Sequence, residues 1–138
     1  MKILNAAQTR EADTYTINHK PISSINLMER ASQAFVNAFT KFYGKEECIS
    51  IFAGIGNNGG DGLAIARILR QHGYQVVVFI LGDPKKGSTD FKVNYERLGQ
   101  NAIPIIESSD FPDLFNYKVI IDALFGSGLN RSLTGLAK

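Results

Sequence analysis

The sequence predicts an α/β protein with a Rossmann-like, doubly wound parallel sheet in three α/β/α layers, preceded by two N-terminal helices. Continuously apolar runs of strand length, at 48–53, 74–81 and 117–125, alternate with segments of helical period. Glycine-rich loops follow the first and the last of these runs. If the strand order is 3-2-1-4 with right-handed crossovers, both loops leave the same edge of the sheet.

Two helices are expected before the first strand. Residues 7–19 are mostly polar, and Thr9 is the expected N-cap of this first helix. The second helix is expected over about 25–43, with Ser23 or Ser24 as its N-cap. Its apolar residues recur at helical spacing and predict packing against a sheet. These residues are Leu27, Met28, Ala31, Ala34, Phe35, Ala38, Phe39 and Phe42.

The later elements follow the same alternation. The glycine-rich turn after the first strand leads into a helix whose apolar residues recur from Leu63 onward. A further helix is expected over 89–99 and a short strand over 103–106. The last strand, 117–125, is expected to be buried like the second. With no repeat or linker in evidence, the whole of 1–138 is expected to form one domain.

The loop after the first strand has the features of a ligand-binding turn. The spacing Gly54-x-Gly56-x-x-Gly59 meets the dinucleotide fingerprint in a strand–turn–helix context. Asn57, Asn58 and Asp61 add hydrogen-bonding groups that a simple packing turn does not need. Because a helix begins here, its free N–H groups and positive dipole end favour an anionic or phosphate-bearing ligand.

Several side chains near these loops have two interpretations. Asp122 either accepts N–H groups of its own turn or serves as an acid/base group or cation ligand, and its position at a strand end favours function. Asp61 either caps the helix or binds a ligand hydroxyl. Arg131 either pairs with phosphate or is a solvated cation. Asp83 precedes a proline, so a turn role is favoured over ribose binding.

Composition excludes several classes of function. The net charge of +2 is too balanced to indicate nucleic acid or an anionic membrane surface. There is no apolar run long enough to span a membrane and no secretory signal, so a cytoplasmic protein is expected. The single Cys48 cannot form an internal disulfide, and neither zinc-ligand spacing nor a Ser/His/Asp triad is evident.

Three strings together resemble a known family. GIGNNGGDGLAIARIL, VIIDALFGSGLNR and LMERA resemble the YjeF N-terminal domain, the NAD(P)H-hydrate epimerases. This resemblance implies an isomerase that interconverts the R and S forms of NADHX and NADPHX, the hydrated nicotinamide cofactors, in metabolite repair. It also implies a homodimer and a functional link to a partner dehydratase that restores the cofactor.

The resemblance also implies site residues. Asp122 would be the catalytic group, and Asn58 and Asp122 would be ligands of one K+ per subunit. Two loop segments would contact the dinucleotide substrate. They are Asn57, Asn58, Gly59, Gly60 and Asp61 in the first loop, and Gly126, Ser127, Gly128, Leu129, Asn130, Arg131 and Ser132 in the second.

The domains of this family are longer than 138 residues, and a further Asp and a Ser that is a potassium ligand would follow Lys138. The chain is therefore expected to be an epimerase domain lacking its C-terminal part, within a longer polypeptide. Two alternative functions remain at this point. One is an NAD(P)-linked oxidoreductase, from the glycine fingerprint alone, and the other is a non-catalytic dimerising binding module of the same fold.

Overall fold

The structure, a computed structural model, describes residues 5–19, 22–99, 101–105 and 108–127. Within them four parallel strands form one sheet in the order β3-β2-β1-β4, with β1 paired to both β2 and β4. The predicted order 3-2-1-4 is therefore confirmed. The strands are β1 (Cys48–Ala53), β2 (Gln75–Leu81), β3 (Ala102–Ile105) and β4 (Val119–Ala123).

Helices alternate with these strands, and the predicted α/β fold with two N-terminal helices is confirmed. The described helices are α1 (Ala6–His19), α2 (Ser24–Phe39), α3 (Asn57–Gln71) and α4 (Thr89–Leu98), with 3₁₀ turns at Pro84–Lys86 and Ser108–Asp110.

The main core lies between the sheet and the helices α2, α3 and α4. In the sheet register Ile51 of β1 lies between Val78 of β2 and Ile121 of β4, so these three side chains share one face. Ile51 and Val78 are fully buried there together with Leu63 of α3 and Phe91 of α4. Burial of this apolar face is the main stabilising contribution to the fold.

The opposite face of the sheet carries a smaller aromatic cluster. Phe52 and Phe79 stack with ring centroids 5.1 Å apart, and Tyr117 meets Phe79 edge-on at 6.0 Å. Tyr117 belongs to the connection that crosses from β3 to β4, so this connection covers part of the second face. Ile103 and Ile120 on the same face stay about half exposed among the described residues.

The first helix begins earlier than predicted, and Thr9 is not its cap. The Asn5 side chain accepts the Gln8 N–H at 2.9 Å, and the Gln8 side chain accepts the Asn5 N–H at 3.0 Å. This reciprocal pair satisfies two N–H groups at the helix start. The Thr9 hydroxyl instead donates to the Asn5 carbonyl oxygen.

The second helix starts as predicted, with Ser23 accepting the Asn26 N–H as its N-cap, but it ends at Phe39, before the predicted 43. Part of its apolar stripe is buried and part is exposed. Met28 and Phe39 are buried and the helix packs against α3, whereas Phe42 beyond it is 81% exposed. The stripe joins the core cluster of the sheet through residues such as Phe39, as predicted, but α2 packs mainly against α3.

The last strand is shorter than the predicted 117–125 and is not buried throughout. It is an edge strand within the described sheet, and its residues alternate between partly buried and exposed. The third strand, by contrast, lies within one residue of its prediction, and α4 ends as predicted with Gly99 in the left-handed region at φ 61°.

Candidate active site at the carboxyl edge of the sheet

The first glycine-rich loop is shorter than the sequence suggested, because α3 begins at Asn57. The predicted substrate segment 57–61 is therefore the first turn of a helix and not an open loop. The N-cap is Gly56, which has no side chain to cap the helix. The first N–H groups of α3 are consequently available to an anion at the point where the helix dipole is positive.

Three glycines inside α3 let the helix approach the sheet and its neighbouring helices closely. A Cβ on Gly59 would overlap the carbonyl oxygen of Gly54, and a Cβ on Gly62 would lie 2.6 Å from the Cβ of Ala123. A Cβ on Gly60 would lie 3.2 Å from the Sδ of Met28 in α2. Glycine lowers helix propensity, so its repeated use here is explained by the close packing.

The two glycine-rich loops converge as predicted. The Gly54 N–H donates to the Ala123 carbonyl oxygen at 3.0 Å, which joins the ends of β1 and β4. A Cβ on Gly126 would lie 3.4 Å from the Cβ of Asn58 and 3.9 Å from its Oδ1. The start of the second loop therefore lies against the first turn of α3. Its remaining predicted site residues, Gly128 to Ser132, lie outside the described residues.

Asp122 has the structural role that was one of its two interpretations. Its Oδ1 accepts the Leu124 N–H at 2.9 Å and so orders the turn after β4. The side chain is exposed, and in the register Asp122 lies beside Phe52, on the sheet face opposite α3. A carboxylate can accept several hydrogen bonds on its two oxygens. The bond from the Leu124 N–H therefore leaves Asp122 able to bind a ligand as well.

Asp61 is not a helix cap, since it lies a full turn inside α3. It is partly buried, and burial raises the pKa of its carboxyl to about 6, with a further contribution from the negative charges of Asp13 and Asp90. A carboxyl with this pKa exchanges a proton close to neutral pH. This raised pKa could not be predicted from the sequence, because Asp13 and Asp90 belong to other helices.

The LMERA segment joins three helices beside this site. Met28 lies over Gly60 of α3 and accepts a hydrogen bond from the buried Asn94 side chain of α4, at 3.1 Å from Nδ2 to Sδ. Glu29 forms ion pairs with Arg67 of α3 and Arg97 of α4. Met28 and Glu29 therefore hold α2, α3 and α4 together.

Helix α1 also reaches the site, which was not predicted. The Arg10 Nη1 donates to the carbonyl oxygen of Ser127 in the second loop at 3.4 Å. Asp13, one turn later, acts electrostatically on Asp61. A polar helix of this kind carries no periodic signal that would have shown where it packs.

The loop after β2 borders the site as well. The Ser88 N–H donates to the Ile55 carbonyl oxygen at 2.9 Å, which ties this loop to the first glycine-rich turn. The Asp83 carboxylate accepts the Lys85 N–H at 3.0 Å, and this observation confirms the predicted turn role. Arg131, the remaining charged candidate, is outside the described residues.

No group of three or more His, Cys, Asp or Glu side chains that could hold a metal ion occurs in the described part of the chain. Oxygen ligands at the site would thus come from the Asn58 amide, the Asp122 carboxylate and backbone carbonyls.

The profile of the family described as "YjeF-related protein N-terminus" matches residues 24–138. The chain belongs to this family. The matched segment includes α2 and both glycine-rich loops, and α1 precedes it.

Curated relatives in the family are named NAD(P)H-hydrate epimerase. The Oenococcus oeni protein is 38% identical over 135 residues, and the match covers 96% of this chain and 62% of that protein. The Limosilactobacillus fermentum protein is 40% identical, with coverage of 96% and 62%. The Anaerococcus prevotii protein is 36% identical, with coverage of 99% and 65%. The chain thus spans under two thirds of the length of these relatives.

A solved structure supports the fold. The crystal structure of yeast ynu0 superposes with a TM-score of 0.77 at 23% identity, covering 97% of this chain and 60% of the yeast chain. Within the described residues, the helices are all too short or too polar to cross a membrane.

Proposed function

We propose that this chain is an epimerase domain that interconverts the R and S forms of NADHX and NADPHX. The observation that carries the proposal is the junction of the two glycine-rich loops at the carboxyl edge of the sheet. Open parallel α/β sheets bind their ligands in this crevice. Relatives at 36 to 40% identity carry the name NAD(P)H-hydrate epimerase, which fits a dinucleotide in this position.

Substrate binding would use the start of α3. The first N–H groups of the helix have no side-chain cap and face an anionic group such as the diphosphate of a dinucleotide. Asn57 is exposed and Asn58 partly buried at this position, so their amides are placed to hydrogen-bond the substrate. Because Gly126 has no Cβ, space for a ligand atom remains between it and Asn58.

The reaction needs acid and base assistance at one ring carbon of the substrate. Protonation and loss of the ring hydroxyl as water leave an iminium cation conjugated through the ring. Water then adds to either face and returns the proton, so no electrons are transferred and no redox cofactor is consumed. We assign the proton transfer to Asp122, whose carboxylate would also stabilise the developing cation.

We also propose a K+ site, one per subunit, with Asn58 and Asp122 as side-chain ligands. The amide and carboxylate oxygens of these residues are ligands suited to a hard cation. Gly126 lies against Asn58, with the position of a Cβ 3.9 Å from the Asn58 Oδ1, so the second loop reaches the amide that would bind the ion. Bound K+ would supply positive charge next to an anionic substrate.

The homodimer, the link to an NAD(P)H-hydrate dehydratase and the cytoplasmic location remain proposals that rest on the sequence. The oxidoreductase alternative is disfavoured, because Asn57, Asn58 and Asp61 place polar side chains in the first turns of α3, where dinucleotide oxidoreductases usually pack this helix closely.

The test is direct. The full-length protein is incubated with purified S-NADPHX, and equilibration of the epimers is followed by chromatography against a protein-free control. Acceleration above the spontaneous rate is expected. Spontaneous equilibration only, in a folded protein supplied with K+, would reject the epimerase and favour the binding module.

A further inference from the structure

Helix α1, which precedes the segment that the family profile matches, contacts the second glycine-rich loop. The Arg10 Nη1 donates to the Ser127 carbonyl oxygen at 3.4 Å, across 117 positions of sequence. Ser127 belongs to the second glycine-rich loop, whose first glycine lies against Asn58. The Arg10 guanidinium is therefore held at the second loop, close to the first turn of α3.

A second observation locates α1 independently. Asp13 follows Arg10 by three residues, so the two side chains lie on one face of the helix. The charge of Asp13 contributes to the raised pKa of the Asp61 carboxyl in α3, so this face of α1 lies near Asp61. Both Arg10 and Asp13 are exposed, which leaves them accessible to a ligand in the crevice.

We propose that Arg10 binds a phosphate group of the dinucleotide substrate. This inference rests on the proposed function. A guanidinium has five N–H donors, and a single contact to Ser127 leaves most of them for a bidentate interaction with phosphate. The side chains of Asp13 and Asp61 make this end of the sheet acidic, so an anionic ligand requires a cation there. Arg10 supplies that charge opposite the start of α3.

The test compares three variants of the full-length protein. Arg10→Gln keeps a donor for the Ser127 carbonyl but removes the charge. Arg10→Lys keeps the charge but removes the planar fork. Arg30→Gln is the matched control, because Arg30 is exposed on α2 and lies two residues from the buried Met28, hence on the opposite side of that helix. Circular dichroism confirms that each variant is folded.

We expect Arg10→Gln to raise KM about 10- to 100-fold, as for loss of a charged hydrogen bond, while kcat changes much less. The KM of Arg10→Lys should lie between the values of Arg10→Gln and wild type, and the KM of Arg30→Gln should equal that of wild type. The dependence of KM on ionic strength should also weaken in Arg10→Gln, which a purely structural role would not change. If KM rises equally for NADHX and NADPHX, the phosphate that Arg10 contacts is the diphosphate. If KM rises for NADPHX alone, it is the 2′-phosphate.

A binding experiment separates this inference from the proposed function. NAD+ and NADP+ are titrated into wild type and the variants by calorimetry, so no epimerase activity is needed. Weaker binding by Arg10→Gln alone supports the phosphate contact even if wild type proves inactive. Unchanged affinity for both dinucleotides in Arg10→Gln overturns it, and so does a wild-type protein that binds neither.

Discussion

Gly62 of α3 and Ala123 of β4 lie so close together that a Cβ on Gly62 would come within 2.6 Å of the Ala123 Cβ. This contact sets how near α3 lies to the strand that carries Asp122. It also explains why a glycine is present in the middle of a helix, where it lowers propensity by about 1 kcal/mol relative to alanine.

Gly62→Ala should therefore destabilise the protein in spite of its better helix propensity. The added methyl group meets two strands, and overpacking of this kind costs about 1–3 kcal/mol. Urea unfolding measures the loss. Gly56→Ala is the control, because no atom lies within 4 Å of a Cβ at that position. A Gly62→Ala protein as stable as wild type would show that α3 can move away from β4 without cost.

Asp61 should make stability depend on pH. Its pKa is raised from 3.8 to about 6 in the folded protein, so between these values the folded state keeps a proton that the unfolded state releases. The free energy of unfolding should consequently fall as pH rises from about 4 to about 6. Chemical denaturation at a series of pH values measures this dependence.

Asp61→Asn should remove that dependence and stabilise the protein at pH 7 by about 1–2 kcal/mol, after allowance for solvent screening. Glu11→Gln, on the exposed surface of α1, is the control, and its stability should depend on pH in the same way as that of wild type. If Asp61 contacts substrate, its variant should lose epimerase activity while it gains stability. An Asp61→Asn protein with the wild-type pH profile would contradict the assignment of the raised pKa.

Asp122→Asn should keep the fold, because the asparagine Oδ1 can still accept the Leu124 N–H. It removes the charge and the proton transfer. General acid–base assistance is worth roughly 10²–10⁴-fold, so kcat should fall by that factor, or about 3–5 kcal/mol of barrier. Rates are corrected for spontaneous epimerisation. Near wild-type kcat in the purified variant would leave Asp122 as a turn residue or cation ligand only.

The K+ proposal predicts a dependence on cation identity. Substrate affinity should be higher in potassium than in lithium at equal ionic strength, because lithium is too small for the same oxygen ligands. Asn58→Ala should reduce that difference, whereas Arg30→Gln should not. Equal affinity in both salts would remove the metal assignment and leave the substrate proposal intact.

The four strands could be predicted from the amino-acid sequence, because each is an apolar run of strand length. Glycines after two of them indicated where the chain turns tightly at one edge of the sheet. These are local properties of the chain, since period and composition act over neighbouring residues. The family motifs added the candidate residues, of which Asn58 and Gly126 lie together in the structure.

The start of α3, the surroundings of Asp61 and the position of α1 depend on how distant segments pack together. The start of α3 at Asn57 depends on its close approach to β1 and β4. Glycines permit this approach, but their presence in a sequence does not predict it. The pKa of Asp61 depends on burial and on charges from α1 and α4. Arg10 meets Ser127 across 117 positions. Such effects arise between distant segments, because packing and electrostatic interaction act through space and not along the chain.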